Sequence, residues 1–243
     1  GKEILAAPLT PNFWRAPTDN DKPAGLTKDY APWRNASPTL TNKQYFNDAL
    51  TLTRTYLDGK VTETIIVHLT EDGGLSVQST LTKTAAGSDL AGVFRFGQQT
   101  EISKAYVNTE WYGRGPFESY ADRKQSTRIG RHKQTNDQLS TEYILPQENG
   151  NRTDVTLLQL SGPGVPTLEV TGSFNFSIWP YTQSTLEAAQ HTYDLTPATN
   201  YTLNLDYGQA GVGGDDSWTL RARPYPEHLL SLEVPLTYRF TLG

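Results

Sequence analysis

Leu50-Thr51-Leu52-Thr53-Arg54-Thr55-Tyr56-Leu57-Asp58-Gly59-Lys60-Val61-Thr62-Glu63-Thr64-Ile65-Ile66-Val67-His68-Leu69-Thr70-Glu71-Asp72-Gly73-Gly74-Leu75-Ser76-Val77 decides the fold. Leu50, Leu52 and then Tyr56 alternate imperfectly with threonines. Ile65, Val67 and Leu69 share one face, and Leu75, Val77 and Leu81 continue the pattern. A period of two is the signature of half-buried strands, and threonine and β-branched residues suit a pleated surface. Asp58-Gly59 and Asp72-Gly73-Gly74 are turn formers between the runs. Three strands at roughly ten-residue spacing predict an antiparallel meander in an all-β sandwich. His68 falls on the face opposite Val67 and Leu69, where a lone histidine is ordinary solvated structure.

Working outward, Val93 to Phe96, Ala105 to Trp111, Val155 to Leu160, Leu168 to Ile178 and Tyr201 to Asp206 read as further strands. Leu236 to Leu242 reads as the one that closes the sheet. The helical candidate is Ser184 to His191. Lys22 to Lys43, rich in Pro, Ala and Thr, predicts surface structure, with a short helical turn near Asp29 and Trp33 packed inside. No internal repeat or low-complexity linker divides the chain, which predicts one domain over residues 1–243.

Composition narrows the function. At 36% hydrophobic and 19% charged, the 243 residues suit a globular protein with a substantial core. No run is long and apolar enough to span a bilayer and no signal-peptide pattern opens the chain, so no membrane partner is expected. The compartment stays open, with the cytoplasm favoured over the periplasm. A net charge of −5 without a basic patch argues against nucleic acid. The one basic run, Arg123, Lys124, Arg128, Arg131, His132 and Lys133, reads as a solvated surface or an interface with the rest of a larger enzyme. With no cysteine there are no disulfides or thiolate metal sites. The chain opens on Gly1 and has no methionine, which reads as a piece of something longer.

Four loops carry the candidate chemistry. Asn12-Phe13-Trp14-Arg15-Ala16-Pro17-Thr18-Asp19-Asn20-Asp21 ends in three oxygen-bearing side chains. They suit a hard cation, or more commonly turn capping. Trp111-Tyr112-Gly113-Arg114-Gly115-Pro116-Phe117-Glu118-Ser119-Tyr120 reads as strand into sharp loop, with Asp122 and Arg123 close behind. Glu118 is an acid–base candidate there, although an Arg–carboxylate cluster is the simpler reading. Glu148 is a second candidate, in Tyr143-Ile144-Leu145-Pro146-Gln147-Glu148-Asn149-Gly150-Asn151-Arg152. The fourth loop is Gly211-Val212-Gly213-Gly214-Asp215-Asp216-Ser217-Trp218. Its glycines make it tight. Trp218 is either a core residue, as tryptophan usually is, or an exposed stacking surface for a sugar. Asp215 and Asp216 are adjacent and diverge, so they make a poor catalytic pair. Asp216 is expected to accept backbone N–H bonds and orient Trp218.

These four stretches, followed by Arg223-Pro224-Tyr225-Pro226, resemble in the same order the carboxy-terminal domain of the large bacterial β-galactosidases of glycoside hydrolase family 2, a separate small subunit in some members. The resemblance spans essentially the whole chain. It implies a large antiparallel super-sandwich similar to galactose mutarotases. It implies that both catalytic glutamates, and the magnesium and sodium sites, lie in other domains. This chain then holds no catalytic residue, metal or cofactor of its own. Its partners are the catalytic barrel and other domains, in the same chain or as a large subunit, and the galactoside substrate. The resemblance gives Trp218 the role of a stacking wall of the substrate pocket, with Asp215 and Asp216 supporting the loop. The isolated chain is expected to leave lactose intact. An autonomous carbohydrate-binding module is the competing expectation, since five tryptophans and thirteen tyrosines allow an exposed aromatic platform. A mutarotase-like enzyme needs a His or Glu acid–base pair, and His68, His132, His191 and His228 are scattered without a motif.

Overall fold

The computed structural model describes residues 4–243. Across these described residues the chain is almost all β, as the alternation predicts. Twelve strands pair antiparallel: β1 (Thr10–Asn12), β2 (Thr39–Phe46), β3 (Ala49–Tyr56), β4 (Val61–Leu69), β5 (Leu75–Lys83), β6 (Arg95–Ile102), β7 (Asn108–Gly115), β8 (Arg128–Thr135), β9 (Arg152–Ser161), β10 (Leu168–Trp179), β11 (Tyr201–Gln209) and β12 (Leu236–Leu242). Two short helices, α1 (Leu26–Asp29) and α2 (Gln183–Ala188), interrupt them.

The sheet forks at β10. One edge of β10 pairs with β9 along most of its length. The other edge pairs first with β12, at Val170 to Gly172, and then with β11, at Asn175 to Trp179. One branch continues β11–β6–β1 and the other β12–β5–β4–β3–β2. Gly172 makes the split possible. Its φ is +147°, and a Cβ there would lie 2.5 Å from the Arg239 carbonyl oxygen.

The branches enclose the core. Phe13 packs edge-on to Tyr56 at 4.9 Å between centroids, and Phe96 meets Tyr238 at 5.3 Å. Trp33 is buried here, its indole N–H donating to the Gly92 carbonyl at 2.8 Å. Alternation along β4 puts Val61, Glu63 and Ile65 inside.

Several expectations need correction. The region read as surface structure before residue 43 gives way to β2 at Thr39. This edge strand is exposed on both faces, so it has no alternation to read. The basic run contributes β8, another edge strand, whose Arg131 pairs with Glu110 at 2.9 Å. Charge on an edge blocks further strand pairing. Gly113 to Gly115 lie inside β7, paired with Arg128 to Gly130, and the loop begins only at Pro116. Ladder partners override the weak strand preference of glycine. β6 and β7 start later than expected, and α2 is shorter. β12 does not close the sheet: it sits inside it, between β10 and β5.

Glu63 is the anomaly of the inner face. It is fully buried and accepts from Tyr56 Oη (2.8 Å), Ser79 Oγ (2.9 Å) and Gln98 Nε2 (3.3 Å). Burial pushes its carboxyl above the usual range despite those donors. The folded chain therefore keeps this proton where the unfolded chain has released it. The associated stability is complete below the ordinary glutamate pKa and is lost as pH rises through the folded value. Glu63→Gln cannot ionise. Urea denaturation should show the variant gaining on the parent as pH rises from mildly acidic to neutral, whereas a difference constant with pH would contradict this.

Candidate functional site

The four loops singled out in the sequence meet around one cleft. Arg15 is the hinge pin. Its guanidinium is buried and forms a two-point pair with Asp21, Nη2 to Oδ1 at 2.7 Å and Nε to Oδ2 at 3.1 Å. It also donates to the carbonyls of Ala210 and Gly211, the latter at 2.8 Å, and to Gln209 Oε1 at 3.1 Å. Asp21 accepts the Thr18 amide at 2.8 Å, and Asp19 exchanges hydrogen bonds with the Gln147 side-chain amide. The oxygens of Asp19 and Asp21 thus face different protein partners. Among the described residues no group of three or more Asp, Glu or His side chains gathers at a metal-sized site.

Asp122 holds the glycine loop. Its carboxylate accepts from the backbone amides of Val212 (3.0 Å) and Gly213 (2.8 Å). A Cβ on Gly211 would lie 2.3 Å from Asp122 Oδ2, so the approach requires glycine. Asp216 accepts the amides of Trp218 (3.2 Å) and Thr219 (3.0 Å) and the Thr219 hydroxyl (2.6 Å). That hydroxyl bond is the main reason its carboxyl lies below the usual range. Asp215 turns the other way, to Tyr225 Oη (2.7 Å) and Arg221 (3.2 Å), and the tyrosine bond lowers its pKa. At the tip, Trp218 is 77% exposed, so it is not the core residue that burial statistics favour for tryptophan.

Beside Ser217 opens a cleft of about 380 Å³, bounded by Asn20, Tyr120, Arg123, Tyr143 and Glu148. Glu148 in its wall, and Glu118 bonded to its Arg123 and Tyr143, are already engaged. Glu118 binds Arg123 and the Tyr143 hydroxyl, and accepts the Gly150 amide at 2.7 Å. Glu148, buried, accepts from Gln209 Nε2 (3.1 Å) and pairs with Arg95 (3.3 Å). Arg95 is also buried and reaches Asp206 at 2.6 Å. Burial opposes its charge, but Asp206 and then Glu148 outweigh that and hold the guanidinium protonated. Among the described residues no histidine lines this cleft, although the His228 carbonyl accepts the Gly211 amide beside it at 2.7 Å. His68 lies on β4, and His132 on β8 against Trp111. His191 pairs with Asp194 at 3.4 Å, and His228 sits in a short turn.

The sequence alone assigns no role to Arg15, Arg95 or Gln209, and places Asp122 only among the residues crowded behind the sharp loop it predicts at 113–116. A charged residue inside an apolar run, as in Val93-Phe94-Arg95-Phe96, was the available signal. Asp122 carried no such mark, because the amides it serves lie some ninety residues downstream.

The fold and this site define a β-sandwich domain whose loops are cross-braced by buried ion pairs and carry one exposed indole. The chain belongs to the family described as beta galactosidase small chain, which it matches over residues 1–242. It is 32% identical to a β-galactosidase of Priestia megaterium over 99% of its length. To those of Halalkalibacterium halodurans and Vibrio cholerae it is 33% and 34% identical, over the whole chain. It spans only about a quarter of the length of these relatives, at 24%, 25% and 24% respectively.

Replacing Asp122 with Ala removes two charge-assisted acceptors from the loop, each worth about 1.5–3 kcal/mol. Hydrogen exchange at Val212 and Gly213 should speed up strongly while β9 and β10 amides keep their protection. Unchanged exchange at those two amides would show that the loop does not depend on Asp122.

Proposed function

We propose that this chain is a part of a β-galactosidase that completes the sugar pocket without supplying catalytic groups. In this reading Trp218 presents one face of its ring to the substrate. The observation that carries it is an exposed indole on a braced loop, in a chain that resembles β-galactosidases from end to end. The apolar face of a galactoside stacks on such a ring, and fixing the ring beforehand spares the entropy of ordering it on binding.

The chemistry of hydrolysis agrees with a non-catalytic role. A retaining glycosidase needs two available carboxyl groups about 5–5.5 Å apart. Here Asp215 and Asp216 point to different partners, and Glu118 and Glu148 are spent on Arg123 and Arg95. The carboxylates that cleave the bond, and the magnesium and sodium that the resemblance implies, then belong to the rest of the polypeptide. So does most of the specificity for terminal β-D-galactosides.

Trp218→Ala in the complete enzyme should raise KM for galactosides about threefold to tenfold, the range of one aromatic contact. Trp218→Phe should recover part of the loss. Full turnover with unchanged KM in the alanine variant would refute the role of Trp218. Rapid hydrolysis of a galactoside by the 243-residue chain alone would refute the non-catalytic reading.

A further inference from the structure

A second cleft, of about 420 Å³, lies in the crotch of the fork, where β12 and β11 part from β10. It is bounded by Asp154, Ser173, Asn175, Tyr207, Thr237 and Arg239, with Tyr238 also in its wall. The volume lies within the range of about 300–1,000 Å³ typical of small-molecule sites.

Backbone irregularities converge here. Tyr207 is skipped in the β11–β6 ladder, which passes from Asp206 to Gly208, so it is the extra residue of a bulge. The β10–β9 register shifts on both sides of Phe174. Asp154 has φ +57°, a conformation that costs a non-glycine residue energy. Ser173 and Phe174 have no ladder partner on the fork edge of β10, since pairing with β12 stops at Gly172 and pairing with β11 starts at Asn175. Bulges re-aim side chains and cluster beside functional sites.

The chemistry is that of a saccharide site. Tyr207 is 38% exposed and is backed by Phe96 and Tyr238, at 6.1 and 6.4 Å between centroids. Tyr238 spends its hydroxyl on the Leu205 carbonyl at 3.1 Å, bridging the two branches. Asn175 uses its carbonyl to accept the Asp154 amide at 3.3 Å, which leaves its NH₂ group for a ligand. Ser173 adds a hydroxyl that both donates and accepts, while the Thr237 hydroxyl already shares a hydrogen bond with Thr80 Oγ1 at 3.0 Å and keeps a lone pair to accept another. Asp154 is already neutralised by Arg114 (2.6 Å) and Lys124 (2.9 Å). Arg239 gives its Nε to Ser76 Oγ at 3.0 Å and has further N–H groups to offer. An aromatic face ringed by two-way hydrogen-bonding groups matches the apolar patch and hydroxyl rim of a sugar.

We propose that the fork cleft is a second carbohydrate site, taking one neutral hexose unit, and that it works independently of Trp218. The experiment is NMR titration of the 243-residue chain with galactose, glucose, lactose and galacturonate. It is repeated with Tyr207→Ala, Tyr207→Phe, Arg239→Gln and Trp218→Ala, each checked for parent-like thermal unfolding. A neutral sugar should bind on the order of millimolar. Tyr207→Ala should weaken binding at least about threefold, while Tyr207→Phe and Trp218→Ala should leave it near the parent. Arg239→Gln, on an exposed side chain, should weaken it without disturbing the fold. Three outcomes would overturn the proposal: no binding of any neutral sugar, binding lost in Trp218→Ala but kept in Tyr207→Ala, or binding confined to galacturonate. Loss in Tyr207→Ala through unfolding leaves Arg239→Gln to decide, and parent-like binding in that variant would also count against the cleft.

Discussion

A single guanidinium, buried between two carboxylates, joins the sheet of this protein to its loops. Arg95 opens β6, Asp206 lies on the neighbouring β11, and Glu148 comes from the loop before β9. All three side chains are out of water. Removing the cation leaves two carboxyls without their partner, a loss of the kind that costs about 3–5 kcal/mol. The bracing continues outward. Gln209 connects Glu148 to Arg15, and Arg15 grips Asp21 and the carbonyls of Ala210 and Gly211. A continuous line of charge-assisted bonds therefore runs from β6 and β11 to the base of the tryptophan loop.

This line explains how an exposed side chain can stand on a held backbone. An indole in water on an unbraced glycine loop would sample many orientations. Here the loop's amides are held by Asp122 and Asp216, its carbonyls by Arg15, and its far side by Asp215 with Tyr225 and Arg221. The indole is apolar surface facing water, and Leu220 and Tyr225 just after it in the chain are exposed as well. A sugar pocket shared with further polypeptide is the cover proposed for it above. The glutamates near the cleft hold loops together, Glu118 through Arg123 and the Gly150 amide, and Glu148 through Arg95 and Gln209.

Where the sequence was legible, one face was apolar and the turns were glycine-rich. β3 to β5 met both conditions and stand as read. β2 met neither, because both of its faces are exposed, and β8 hid behind the positive charges that protect its edge. The fork at Gly172 is a matter of which strands flank β10, and no local pattern encodes that. The same limit applies to the site. The carboxylates of the glycine loop stand out in the sequence by their own neighbourhood. Asp122 and Arg95 depend on partners some ninety and more than fifty residues away, and such pairings appear only once the sheet is assembled.

The most direct test of this account is site-resolved hydrogen exchange in Arg95→Met, a substitution that keeps bulk and removes charge. If the buried guanidinium is what ties the loops to the sheet, protection should fall first at Glu148, Val212 and Gly213, with β4 and β5 little changed at moderate destabilisation. Loops as protected as in the parent, or a uniform loss across every strand, would contradict it.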